Sequence, residues 1–131
     1  IIDETFYTKT YNQNRVLGKA LMDSKLYLDG ACIASYVTMA DMEEFEVLPK
    51  HLDGIVSQLR VTKDVELAVF LYELEPGRFK LSMRSNDKVN VADIAVTFGG
   101  GGHVRAAGAD MEGTAEDIIG KICAEAKKQL C

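Results

Sequence analysis

Tryptophan is absent from this 131-residue sequence, proline occurs twice, cysteine three times, and the only histidines are His51 and His103. Cys32, Cys123 and Cys131 are odd in number and widely spaced, with no C-x-x-C among them. That pattern points to reduced thiols in a cytoplasmic protein. It also speaks against a zinc site, because Cys32 falls in an expected strand and the other two in one expected helix. No apolar run approaches the length of a membrane span. The opening stretch IIDETFYTKT lacks the basic-then-apolar order of a signal peptide. The chain begins at Ile1 without a methionine, so the expectation is a processed chain or one cut from something longer. No internal repeat, linker or second domain is visible.

Hydrophobic residues make up 47% and charged residues 27%, the composition of a globular chain whose length suits one modest core. A net charge of −5 argues against a general polyanion binder. The charge is uneven, however. Between Arg78 and Arg105 five basic residues face two acidic ones, which gives +3 and leaves −8 for the remainder.

Apolar residues at helical spacing predict a helix over Tyr11–Asp23, with Val16, Leu17, Ala20 and Leu21 as its stripe. KLYLDGACIASYVTM reads as a hairpin with Asp29-Gly30 as a two-residue turn. MADMEEFEVLP reads as a short acidic helix closed by Pro49, its Asp41–Glu46 stretch a solvated face, and HLDGIVSQLRV as one further short helix. Val65 to Leu74 is apolar on both alternating faces, which fits a central strand. After the Glu75-Pro76-Gly77 turn, RFKLSMRS returns beside it, with Phe79, Leu81 and Met83 on one face and Lys80, Ser82 and Arg84 on the other. NVADIAVTF is the next helix, capped by Asn90 and stopped by Gly99. RAAGADM is a short strand, and Thr114 caps a last helix with Ile118, Ile119, Ile122 and Ala126 as its stripe. The five methionines are assigned to core filling, and His51 and Arg60 to the surface. The expected fold class is α/β (α+β): one mixed sheet of about five strands with helices on its faces.

The unusual stretch is FGGGGHVRAAGAD, Phe98 to Asp110. It fails the dinucleotide fingerprint, because the third glycine position falls on Val104 or Arg105, and it fails the P-loop, because no lysine follows. It also follows a helix, where both of those loops precede one. A packing turn explains Gly99 and one more glycine at most. The remainder, with His103 and Arg105 behind it and Arg84, Ser85 and Asn86 upstream, suits an anion: bare backbone N–H groups closing as a nest, joined by side-chain donors.

KLSMRS followed by NVADIAVTFGGGGHVRAAGAD resembles the DHH-associated C-terminal domain of the DHH phosphoesterase superfamily. The upstream hairpin and DGIVSQLRVTKDVELAVFLYE resemble the branch with oligoribonuclease/pAp phosphatases and exopolyphosphatase-related proteins. The resemblance implies a substrate-binding domain over 25–131, with 1–24 as the end of an inter-domain connection and an N-terminal helix. It implies that Gly99, Gly100, Gly101 and Gly102 cradle substrate phosphate and that Arg84 with Ser85 grips a nucleotide phosphate. By the same likeness His103 assists at the reacting phosphate, and Arg105 stands at a variable position of the motif. The catalysis itself would belong to an N-terminal DHH domain holding two manganese ions. No Asp-His-His motif occurs here, and no metal ligand set is expected in this chain, which alone would be inactive. The implied ligands are short single-stranded RNA or nucleotide phosphates such as pAp, with cyclic dinucleotides and single-stranded DNA as alternatives. A homodimer is a further candidate assembly, and no membrane is expected. The competing reading is a stand-alone nucleic-acid or nucleotide-binding module; relatives of this domain also occur attached to alanyl-tRNA synthetases.

Overall fold

A computed structural model describes residues 9–130. The first eight residues of the expected connection, and Cys131, lie outside the described residues.

Helix α1, Tyr11–Asp23, opens on a capping box in which Thr10 and Gln13 exchange side-chain and backbone hydrogen bonds. Val16 and Ala20 are buried, whereas Leu21 faces solvent. Strands β1, Lys25–Tyr27, and β2, Cys32–Val37, form the expected hairpin. Tyr27 pairs with Cys32, so the loop has four residues and not two; Leu28 joins Asp29 and Gly30 at positive φ. Helix α2, Met39–Glu44, stops well before Pro49. Its stop is Glu46 at φ 54, which lets the Val47 N–H return to the Met42 carbonyl at 3.0 Å. The next expected helix is two pieces, a 3₁₀ turn over Pro49–Leu52 and α3, Ile55–Arg60, because Gly54 at φ 94 breaks the run between them.

Strands β3, Leu67–Glu75, and β4, Arg78–Ser85, follow. Helix α4, Val91–Thr97, is capped by the Asn90 side chain, which accepts from the Asp93 N–H, and ends at Gly99 with φ 86. Three residues of the glycine run, Gly101–His103, form strand β5 against β6, Ala106–Glu112. Helix α5, Ala115–Leu130, starts where the Thr114 hydroxyl accepts from the Asp117 N–H. The strand order is β1-β2-β3-β4-β6-β5, and only the β2–β3 pair is parallel. The fold is thus a single α+β domain on a mixed sheet, with β5 as the strand beyond the expected five.

The two faces of the sheet are buried to different extents. On the first, α4 and α5 cover apolar residues from β2, β3, β4 and β6, among them Ala34, Val69, Leu81, Met83, Ala107 and Ala109. On the second, α1, α2 and α3 cover Ile33, Ser35 and Val37 of β2 and Ala68 and Phe70 of β3, with Tyr72 packed at the margin. Three methionines, Met42, Met83 and Met111, do fill core, but Met22 and Met39 are exposed, because each lies on the outer side of a helix that buries its other residues. Cys32 and Cys123 are buried free thiols with sulfurs 3.9 Å apart. Their mutual hydrogen bond and burial push the Cys32 thiol far up. No helix among the described residues is long and apolar enough to cross a membrane.

Candidate functional site

The uncovered part of the second face lies over β4, β6 and β5. Directly paired residues in a sheet share a face, so the register defines rows there, and two of them reach the glycine run. One runs Phe70–Ser82–Gly108–Gly101, and the other Ala68–Arg84–Ala106–His103. Phe70 and Ala68 are buried under the helices. Ser82, Arg84, Ala106 and Gly108 are half-buried, and Gly101 and His103 are exposed. In these two rows the result is a shallow floor of small residues with one guanidinium and one imidazole on it, and Lys80 and Asp110 stand exposed in the row beyond Ser82 and Gly108. At the ~4.8 Å strand spacing, Arg84 and His103 stand about 10 Å apart at the backbone. The Arg84 guanidinium donates to the Met83 carbonyl at 3.0 Å, and the five-donor fork keeps further N–H groups for a ligand.

The four glycines are not equivalent. Gly99 provides the left-handed helix stop. A Cβ on Gly100 would lie 2.1 Å from the Gly108 carbonyl oxygen and 2.6 Å from the Ala109 Cβ. One on Gly102, which has φ 148, would lie 2.6 Å from the Ala106 oxygen and the Ala107 Cα. Close approach to β6 therefore requires both. Gly101 has no such reason: its backbone is in no left-handed conformation and a Cβ there would meet nothing within 4 Å. A methyl group at that point would project onto the open floor, beside Gly108 in the same row.

The backbone donors are also divided. The Gly99 and Gly100 N–H groups donate to the Val96 and Ala95 carbonyls at 3.1 and 2.7 Å and finish α4. The donors left are those of β5, an edge strand, which pairs with β6 on one side and presents alternate groups on the other. The run is drawn out along β6 and does not close into the expected nest.

Ser85 and Arg105 lie elsewhere than on the floor. Ser85 is buried, and its hydroxyl donates to the Val89 carbonyl at 2.6 Å. The Arg105 guanidinium donates to the Ser85 hydroxyl at 3.0 Å and to the Val89 and Asp87 carbonyls at 2.5 Å each. Backbone bonds from Ser85 N–H to the Arg105 carbonyl, and from Val91 N–H to the Val104 carbonyl, complete the tie. Together these fix the Val104-Arg105 turn, and so the end of β5 at His103, against the loop that leaves β4. Glu66 holds that loop from the other side. Its carboxylate accepts from the N–H groups of Asp87, Lys88 and Val89 at 2.9 to 3.2 Å. Burial pushes this carboxyl up, but the N–H groups of Val89, Lys88, Asp87 and Asn86 outweigh it and hold it below the usual range. Asn86 is engaged structurally too, donating to the Val65 carbonyl at 2.8 Å and accepting from Arg60 at 3.3 Å. His51 accepts the Leu48 N–H at 2.9 Å.

Beside Arg84 the floor deepens into a cleft of about 120 Å³, lined among others by Asp53, Phe70, Tyr72 and Ser82. Sequence reasoning passed over Asp53, Tyr72 and Ser82 as site residues, although the β4 alternation already set Ser82 on the face of Arg84. Among the described residues no three His, Cys, Asp or Glu side chains gather so as to hold a metal ion. What the arrangement offers chemically is donors for an anion: the Arg84 fork, the His103 ring and the outward N–H groups of an edge strand.

Residues 29–130 match the model of the DHHA1 domain family. Over 99 residues, 76% of the chain, the sequence is 31% identical to a bifunctional oligoribonuclease and PAP phosphatase NrnA from Thermus thermophilus, of which the match covers 29%. A protein of the same name from Mycoplasma pneumoniae is 34% identical over 64 residues, 47% of this chain and 19% of that one. In three dimensions the fold superposes on an exopolyphosphatase-related protein from Bacteroides fragilis with a TM-score of 0.84 at 25% identity, covering 97% of this chain and 39% of that one. The chain thus spans less than a third of the curated relatives it matches.

Proposed function

The chain belongs to the DHHA1 domain family, and from that premise we propose that it is the substrate-binding domain of a phosphoesterase. Its ligands would be short oligoribonucleotides or nucleotide phosphates such as pAp, held by phosphate on the uncovered floor. Arg84 supplies a charged fork, Gly101 allows the ligand's close approach to the backbone, and His103 stands beside the phosphate at the sheet edge. Ser85, Arg105 and Glu66 hold the turn that sets His103 in place. A DHH domain elsewhere in the parent chain would face this floor and bring the two manganese ions, whose chemistry is to generate a hydroxide nucleophile and to neutralise phosphate charge. His103 would then assist at the reacting phosphate, while the isolated chain binds and does not turn over.

The observation that carries this reading is Gly101. The fold demands glycine at its three neighbours and not there, yet the side chain is missing where it would stand over a floor shared with Arg84 and His103. The test is an NMR titration of the chain with pAp. Shifts should concentrate on Arg84, Gly101, Gly102 and His103, and they should weaken with added salt as phosphate contacts do. Shifts confined to the acidic α2 segment, or none at millimolar pAp, would contradict the reading.

A further inference from the structure

Cys32 and Cys123 meet on the first face of the sheet, where α5 covers β2, and the anion floor lies on the other face. Their sulfurs are 3.9 Å apart. A single buried thiol is inert, but a facing pair differs, because the second sulfur can capture the first oxidation product inside the core. The two thiols also differ in access. Cys32 is 0% exposed and Cys123 is 8% exposed. A cleft of about 20 Å³ opens close by, lined by Ala34 and Ile119 among others. Ala34 follows Cys32 on the same face of β2, and Ile119 lies one turn before Cys123 on α5. The cleft has room for one molecule on the scale of water. Glutathione disulfide is too large to reach either sulfur, whereas a peroxide is small enough. The Cys32 hydrogen bond holds the Cys123 thiol below its ordinary range, against the opposing effect of burial, so Cys123 is the readier thiolate.

We propose that Cys32 and Cys123 form an oxidative modification site for hydrogen peroxide, which closes a reversible disulfide between β2 and α5. The Cys123 thiolate attacks one peroxide oxygen and the O–O bond breaks. Cys123 becomes a sulfenic acid, and the departing hydroxide takes up the proton that Cys123 released. The Cys32 sulfur then attacks the Cys123 sulfur. The S–S bond forms, the S–O bond breaks, and the hydroxyl leaves with the Cys32 proton as water. Two thiols thus lose two electrons and two protons, and one peroxide becomes two waters. A sulfur–sulfur bond is about 2.05 Å long, so the sulfurs close by about 1.9 Å, a movement shared between two side chains. The bond ties the last helix to a strand 91 residues earlier and leaves the floor untouched, so the inference stands apart from the phosphate reading.

The experiment uses the chain with Cys131→Ser, which removes the third thiol. It is treated with hydrogen peroxide, alkylated in denaturant and digested with trypsin. Both thiols should be protected from alkylation, and peptide 26–50 should be joined to peptide 122–127 until dithiothreitol separates them. The joined peptides identify the bond whatever oxygen the exposed Met22 and Met39 take up. The oxidised chain should melt higher by about 5 °C or more, because the closed loop spans most of the sequence. Cys32→Ala should stop the reaction at a sulfenic acid on Cys123, which dimedone traps, and Cys123→Ala should leave Cys32 unreacted. The joined peptides are read on a chain that keeps both cysteines, so they require neither of these variants to fold. Two thiols still open to alkylation after peroxide, or oxygen added at Cys123 with no joined peptide, would overturn the proposal.

Discussion

Phe70 and Ser82 are direct cross-strand partners on the same face of the sheet, yet they lie in different surroundings. Phe70 is 3% exposed, under the cover of α3, while Ser82 opens onto a floor that no helix among the described residues covers. On the opposite face no such break exists, and β4 contributes Phe79, Leu81 and Met83 to a continuous core. The difference teaches where to look for function. Residues of the covered half are explained by burial, at about 1.5–3 kcal/mol for each large apolar side chain. The floor has an arginine, a histidine and small residues, which burial does not explain. A site that must admit a phosphate needs those residue types in that openness.

The comparison can be broken from either side. The largest effect should come from the covered half. Leu59, fully buried on α3, should cost about 2–5 kcal/mol on Leu59→Ala in chemical denaturation. The floor would be disturbed only through loss of the fold. Gly100→Ala should come next, at about 1–3 kcal/mol, because the new methyl group collides with Gly108 and Ala109; thermal melting measures it. Arg84→Ala should reverse the pattern. It should lower the affinity for pAp by about tenfold or more, as a lost charged hydrogen bond does, with little change in melting.

A smaller effect tests the loop behind the floor. Glu66→Gln should cost about 1–2 kcal/mol, the low end for charged hydrogen bonds, because the carboxylate is partly in water. The sign with pH follows from its lowered pKa. The stabilisation is fully present above the unfolded value of about 4.3 and is lost as pH falls through the folded one. The difference between wild type and variant should therefore shrink below pH 4 in denaturation curves; a constant difference would remove Glu66 from the loop's support.

Much of the frame was legible in the sequence. The alternation of β4, the two-faced burial of β3, the Asn90 and Thr114 caps and the Gly99 stop all rest on local rules of spacing and capping, and the structure has each of them. The sixth strand was not legible. Glycine is a poor strand former, and Gly101–His103 is extended only because Ala106–Gly108 stands beside it, a tertiary fact. The engagement of Arg105 was hidden for a similar reason: its residue type suits phosphate, but the carbonyls of Asp87 and Val89 take its donors, and nothing local announces them. The open floor was hidden too, since it depends on where three helices stop covering the sheet. Leucine at position 21 and methionine at position 22 show the limit of a helical stripe, which cannot say how wide the buried side will be.

The most direct test of the central claim is Gly101→Ala, measured for stability and for pAp affinity together. The account predicts a melting free energy within about 0.5 kcal/mol of wild type, because the Cβ meets nothing, and an affinity lowered by about tenfold or more, because the methyl group stands where phosphate must approach. A folded variant that binds pAp as wild type does would contradict it.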